Sequence, residues 1–381
     1  MMDISFKLDP EILIGMDTIN RTGTICNTYG GRTLIVTEQG LYENRNIERL
    51  TAILNDFGVE AIVFDEIPAQ AAADVAESAA ELARGARCSV IVGFGGLTIQ
   101  SIARIAAIIA KSGLPVFELL DGTKPEEPFL PYIAIPTTGR DPFLFSGYLL
   151  AVDPRDRSIK QVKSPEGLCK AAIMDGNLAE SLSGKFAATM AFDGFCVAVE
   201  AYCSNKAQFL SDALLEQAIF QYSQIMNSYE NSETFDLMGG ITNAGFLTAL
   251  GSAVSAPGIG TALAYAINGR FSVAKSWCST VLLPYILEKL VAARPEKIAK
   301  VAALMGETVE GASTANSAEM AVEAIRRHMG VLKVPARLKE FNLSLDRLVS
   351  VAEAAHNLEF VAYSPWTIAA EDAFDLLKQA F

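Results

Sequence analysis

Histidine is nearly missing from this chain: of 381 residues, only His328 and His356 carry an imidazole. A metal centre built on ring nitrogens has at most these two to draw on. A cationic surplus is missing too. Asp and Glu number 44 against 31 Lys and Arg, and the net charge of −13 is spread along the chain. Nucleic acid needs a basic face and is excluded as a partner. The six cysteines (Cys26, Cys88, Cys169, Cys196, Cys203, Cys278) include no C-x-x-C pair, so reduced and mostly buried thiols are expected. No clean span of about 20 apolar residues exists. The stretch 89–109, for example, is interrupted by Gly95, Gly96, Gln100 and Arg104, so no membrane partner is expected. The opening Met-Met-Asp-Ile-Ser-Phe-Lys lacks the basic-then-apolar layout of a signal peptide, and the expected location is the cytoplasm.

What is present is enough apolar residue, 51% of the chain, for one large core or two medium ones. The first half alternates short apolar runs with helical spacing. Residues 33–37 (Thr-Leu-Ile-Val-Thr), 61–64, 89–93 and 132–135 read as buried strands. Helical patterns lie between them, one carrying Ile47, Leu50, Ile53 and Leu54 and closed by Gly58. Single helices between strands predict a parallel sheet covered on both faces. Residues 145–175 switch to alternation around Asp153-Pro154-Arg155-Asp156, which predicts a hairpin leading into a strand at 171–174. Beyond about residue 178 the periodicity is almost only helical. The expected layout is an α/β domain over residues 1–178, with a Rossmann-like parallel sheet, and an all-α domain over residues 179–381.

Three ordered motifs carry the chemistry. Residues 193–202 read Asp-Gly-Phe-Cys-Val-Ala-Val-Glu-Ala-Tyr; residues 261–268 read Thr-Ala-Leu-Ala-Tyr-Ala-Ile-Asn; Ala274-Lys275-Ser276 precedes an apolar run ending at Pro284. Together with residues 92–98 (Val-Gly-Phe-Gly-Gly-Leu-Thr) and 136–143 (Pro-Thr-Thr-Gly-Arg-Asp-Pro-Phe), they are spaced along the chain in an order that is itself a signature. The pattern resembles the iron-containing (group III) alcohol dehydrogenase family, which has the dehydroquinate synthase-like fold, over nearly the whole chain.

That family reads roughly D-A-x-x-H-A-x-E-A-Y, then H-A-M-A-H-x-x-G, then P-H-G, with the first Asp and three of the His as ligands to one divalent ion. Asp193 is kept here. The three imidazole positions have become Val197, Thr261 and Lys275, and Tyr265 stands where the family keeps a non-ligand His near the substrate. No metal is expected. For Lys275 two readings stand at this point: an ordinary solvated lysine, or an ammonium in the metal's place paired with Asp193. Tyr265 is by default a core tyrosine, and with Lys275 and Asp193 it forms the candidate catalytic set. Glu200 is expected to be structural.

The resemblance implies an NAD site as well. Glycines at a strand-to-helix turn let backbone N–H groups approach a pyrophosphate. Gly95, Gly96, Leu97 and Thr98 occupy that turn where the family has G-G-G-S, with Ser101 and Arg104 at its Asp and Lys positions. Glu38 matches an acidic position that accepts ribose hydroxyls and disfavours a 2′-phosphate. Thr137 and Thr138 keep the start of the family's P-T-T-A-G-T-G-S-E loop, whose remainder is recast around Arg140 and Pro142. Arg140 is either a phosphate contact or an exposed loop arginine. The function implied is a metal-independent, NAD-linked oxidoreductase of a small alcohol or aldehyde, working as a homodimer; the alternative is a non-catalytic protein of the same fold kept for ligand or partner binding.

Overall fold

Runs of four to six β-branched and aliphatic residues bury both their faces, and the first half of the protein is built on them. The computed structural model describes residues 7–68, 72–179, 184–231 and 237–381. The chain divides into two compact units, Met1–Ser181 and Leu182–Phe381.

The first unit holds strands β1 (Glu11–Ile14), β2 (Arg32–Thr37), β3 (Glu60–Phe64), β4 (Val90–Gly95), β5 (Tyr132–Pro136), β6 (Tyr148–Val152), β7 (Ile159–Lys163) and β8 (Cys169–Met174). Its helices are α1 (Thr22–Asn27), α2 (Gly40–Glu43), α3 (Asn46–Asp56), α4 (Val75–Gly85), α5 (Leu97–Ser112) and α6 (Val116–Leu120). Six strands form one parallel sheet in the order β1-β8-β5-β4-β2-β3, and β6 and β7 make the antiparallel hairpin. Register aligns Ile35, Val92 and Ile133 in one row. That row packs with Ile47, Leu50 and Leu54, the apolar stripe of α3. Toward α5, a Cβ on Gly93 would lie 3.0 Å from both the Ala103 Cβ and the Tyr132 ring, so the helix approaches this closely only over a glycine. Edge strand β1, with just four residues and exposed ends, was not foreseen from the sequence.

The second unit is helical: α7 (Gly184–Cys203), α8 (Phe209–Asn231), α9 (Leu237–Val254), α10 (Ile259–Phe271), α11 (Lys275–Ala293), α12 (Pro295–Leu304), α13 (Thr314–Leu332), α14 (Val349–His356) and α15 (Ala370–Ala380), with short 3-10 turns. Helix α7 is mostly apolar around its circumference, and every side chain from Ala187 to Cys203 is buried, Asp193 and Glu200 included. It contacts α8, α9, α10 and α11. Its approach to α8 depends on Gly194, where a Cβ would fall 2.2 Å from the Tyr222 hydroxyl. Among the described residues no single helix is long and apolar enough to cross a membrane.

Candidate functional site

In the first unit the strand order reverses between β2 and β4, which run outward to β3 on one side and to β5 on the other. Open parallel sheets bind ligands outside the carboxyl ends of strands at such a point. Glu38 follows β2, Gly95 and Gly96 close β4, and Thr137 and Thr138 follow β5, so the three segments meet at one edge of the sheet. The contacts confirm the meeting. Gly96 N donates to Glu38 Oε1 at 3.0 Å, and a Cβ on Gly96 would lie 3.8 Å from Thr138 Cγ2. Gly95 has φ +156°, and a Cβ there would stand 2.6 Å from Ile99 Cγ1, so this turn accepts only glycine without rearrangement. Below the turn the Gln100 amide donates to the carbonyls of Gly93 and Gly95, and the Tyr132 hydroxyl donates to Gln100 Oε1.

Leu97 is half-buried and Thr98 exposed at the start of α5. The cradle therefore keeps its glycine floor and its helix N-terminus, which suits a pyrophosphate. The recast loop is held from beneath. Arg104, on α5 and 3% exposed, donates to the Phe143 carbonyl at 3.1 Å, and its guanidinium lies 3.9 Å from Asp141 Oδ2. Arg140 is half-buried in the same loop.

The second constellation lies on α7, α10 and α11. Asp193 is fully buried and Lys275, the first residue of α11, is 3% exposed. The Lys275 ammonium donates to Asp193 Oδ1, forming a buried ion pair, and the same oxygen accepts the Ser279 hydroxyl at 2.6 Å. Ser279 was not singled out from the sequence. Its signal was its position four residues after Lys275, on the same helix face. The Tyr265 ring, 8% exposed, lies with its centroid 4.8 Å from the Lys275 nitrogen, a cation–π distance. The solvated reading of Lys275 does not describe this structure.

Two turns further along α7, Glu200 is buried and ties down the start of α10. It accepts from Gly260 N at 2.6 Å, from Thr261 N at 2.9 Å and from Thr261 Oγ1 at 2.6 Å. Burial pushes its carboxyl above the usual carboxylate range, against the pull of these hydrogen bonds. The helix that presents Tyr265 is thus anchored by a carboxylate at its N-terminus. All six cysteines are free, five of them buried. Burial pushes the Cys26 thiol up to about 12 and those of Cys196 and Cys278 up as well, so none is poised as a nucleophile.

A divalent ion does not fit these donors. Val197 offers no ligand atom, the Thr261 hydroxyl is spent on Glu200, and the Asp193 oxygen faces an ammonium. Among the described residues no group of three or more His, Cys, Asp or Glu converges as a metal site. Imidazole, thiolate and carboxylate are the groups that hold such metals in proteins, and a cation already neutralises the Asp193 carboxylate.

A parallel α/β unit with a glycine turn at its switch point is thus followed by a helical unit that buries Asp193 against a lysine. Residues 9–176 match the family model described as iron-containing alcohol dehydrogenase, and residues 186–381 match its C-terminal domain model. The chain belongs to the iron-containing alcohol dehydrogenase family, whose members are alcohol dehydrogenase-type oxidoreductases. Its curated relatives include the NAD-dependent methanol dehydrogenase of Bacillus methanolicus, 22% identical and covering 99% of both chains. Another is long-chain-alcohol dehydrogenase 1 of Geobacillus thermodenitrificans, 26% identical over 91% of this chain and 89% of that one. Among solved structures, a 1,3-propanediol oxidoreductase superposes with a TM-score of 0.92 over 100% of both chains at 22% identity. The NAD+ complex of sulfoacetaldehyde reductase from Bifidobacterium kashiwanohense does so at 0.85, with 16% identity, over 100% of this chain and 99% of that one. At such identities these structures establish the fold.

Proposed function

We propose that this protein is an NAD-linked oxidoreductase of a small alcohol or aldehyde in which Lys275 does the electrostatic work that its family assigns to a metal. The observation that carries the reading is the buried Lys275 ammonium on Asp193. An isolated carboxylate this deep in an apolar helix would be strongly disfavoured, and a lysine is the simplest permanent counter-charge. Relatives whose names specify NAD support the cofactor, as does the retained glycine floor. Glu38, Gly95, Gly96, Leu97, Thr98, Thr137 and Thr138 are the residues that would hold it, with Arg140 near its phosphates.

When bound, the dinucleotide supplies the hydride acceptor or donor. The remaining chemistry falls to the chain. Oxidation of an alcohol removes a proton from oxygen as hydride leaves carbon, so charge builds on that oxygen. The Lys275 ammonium, fixed by Asp193 and Ser279, stabilises this charge without reorganising. In the reducing direction the Tyr265 hydroxyl gives its proton to the carbonyl oxygen as hydride reaches carbon, leaving a phenolate; in the oxidising direction that phenolate takes the alcohol's proton back. Thr261 holds the start of α10, and so the Tyr265 ring, through Glu200.

Purified protein should reduce NAD with short-chain alcohols, and contain no stoichiometric iron or zinc by elemental analysis. Excess chelator should leave the rate unchanged. Activity lost on chelation and restored by iron or zinc would contradict the reading. Absence of NADH and NADPH binding at millimolar concentration would instead favour a non-catalytic binding protein.

A further inference from the structure

A protein with a net charge of −13 nevertheless gathers three cations around one cleft of its second unit. The cleft is half-open and about 550 Å³ in volume. It lies between α11 at Pro284 and Tyr285, the end of α13, and the segment 333–337 that follows. Arg326, Lys333 and Arg337 line it, together with apolar surface from Pro284, Met329 and Val334. None of these residues takes part in the chemistry proposed for Asp193 and Lys275.

Acidic partners are few here. Arg326 is shared with Glu288 of α11, while neither Lys333 nor Arg337 forms a salt bridge among the described residues. All three cationic residues are exposed, so a guest can reach them from solvent. Arg337 is also held in place. Its Nη1 donates to the Tyr285 hydroxyl and to the Gln379 carbonyl, both at 2.7 Å, and its guanidinium lies 5.8 Å from the centre of the Tyr285 ring. The backbone N–H groups of Ala336 and Arg337 both donate to Glu340 Oε1 at 2.9 Å, which pins the loop. A guanidinium has five N–H groups, so Nε and Nη2 of Arg337 keep theirs for a ligand. Lys333 closes α13 in the left-handed region, at φ 48°, a position that favours glycine. A lysine there adds a charge where glycine would leave none.

These charges select the chemical class of the guest. A guanidinium already held in one orientation loses little freedom on meeting an oxyanion, and its fork fits carboxylate and phosphate oxygens alike. Glu288 offsets one positive charge of the three, and the two that remain match a dianion. Met329 and Val334, 7% and 8% exposed, add an apolar floor that a carbon skeleton can cover and a bare inorganic ion cannot. The volume falls within the range of small-molecule sites. We propose that this cleft binds a small organic dianion, a phosphate monoester or a dicarboxylate, independently of the reaction at Asp193 and Lys275.

Isothermal calorimetry on the full-length protein separates the two sources of dianion. Phenyl phosphate, glutarate, inorganic phosphate and the neutral glutaramide would each be titrated to about 20 mM, a range that covers weak millimolar binding. Phenyl phosphate or glutarate should bind about tenfold more tightly than inorganic phosphate, because its carbon skeleton covers the apolar floor, and glutaramide should give no saturable heat. Lys333→Glu reverses a charge at an exposed position and should weaken that binding about tenfold or more, and Arg326→Gln should weaken it about fivefold. Lys124→Glu, at an exposed lysine of the loop before β5, changes the net charge equally and should leave binding within about twofold. Melting temperatures of the variants show that each is folded. No saturable binding of either organic dianion overturns the proposal. So does inorganic phosphate binding as tightly as both, which would mark an adventitious ion only. Binding left intact by Lys333→Glu and Arg326→Gln overturns it too, since the anion would then rest elsewhere, as on the glycine turn of the first unit.

Discussion

Helix α7 carries two buried carboxylates, and they are stabilised in opposite ways. Asp193 meets a full positive charge and one hydroxyl, from Lys275 and Ser279. Glu200 meets neutral donors: backbone N–H groups at the start of α10, and the Thr261 hydroxyl. Hydrogen bonds from a helix N-terminus hold a carboxylate in place without cancelling its charge, and burial raises the Glu200 carboxyl accordingly. The difference separates a carboxylate that fastens two helices from one that belongs to a charged centre. Around Glu200 the neighbours give structure; around Asp193 they give a cation fixed beside Tyr265.

The contrast can be broken most forcefully at Lys275. Lys275→Met leaves Asp193 buried without its partner and should cost about 3–5 kcal/mol of unfolding free energy by denaturant titration. An exposed lysine such as Lys333 changed the same way should cost less than about 0.5 kcal/mol. Tyr265→Phe keeps the ring over Lys275 but removes the proton carrier. We expect kcat to fall about 100-fold or more with little change in stability, measured by steady-state NAD reduction. Ser279→Ala deletes one charge-assisted hydrogen bond to Asp193 and should cost about 1.5–3 kcal/mol.

The smallest effect sharpens the comparison from the other side. The Glu200 carboxyl is raised in the folded state, so its contribution to stability is fully present below the pKa it has when unfolded. That contribution is lost as pH rises through the higher folded value. Glu200→Gln stays neutral and lacks this dependence. Melting temperatures of the two proteins should therefore diverge as pH rises above the ordinary glutamate range, with the wild type losing ground to the variant. Parallel curves would mean that Glu200 is not perturbed by its burial.

The architecture was legible because its signals are long. The run at β2, the glycines closing β4 and the largely apolar helical pattern of α7 each leave one structural solution, and all three were found where expected. Strand β1 escaped because four residues with exposed ends carry too little pattern. At the candidate site, the residues that had lost their usual identity were visible, but their contacts were not. A lysine flanked by alanine and serine reads as solvated, and its burial follows from how α11 packs on α7, a long-range fact. Ser279 gave no signal of its own until Lys275 was seen to turn inward. Glu38 was legible as an acidic strand end, yet its bond to Gly96 N depends on how β2 and β4 lie side by side.

The account stands or falls on the coupling between Lys275 and Asp193. Its most direct measurement is a double-mutant cycle in equilibrium unfolding with Lys275→Met, Asp193→Asn and both together. Removing both charges should recover a large part of the single-variant losses, leaving an interaction energy of at least about 1 kcal/mol. Strictly additive losses would show that the lysine is not the counter-charge of Asp193, and would remove the basis for a metal-independent centre.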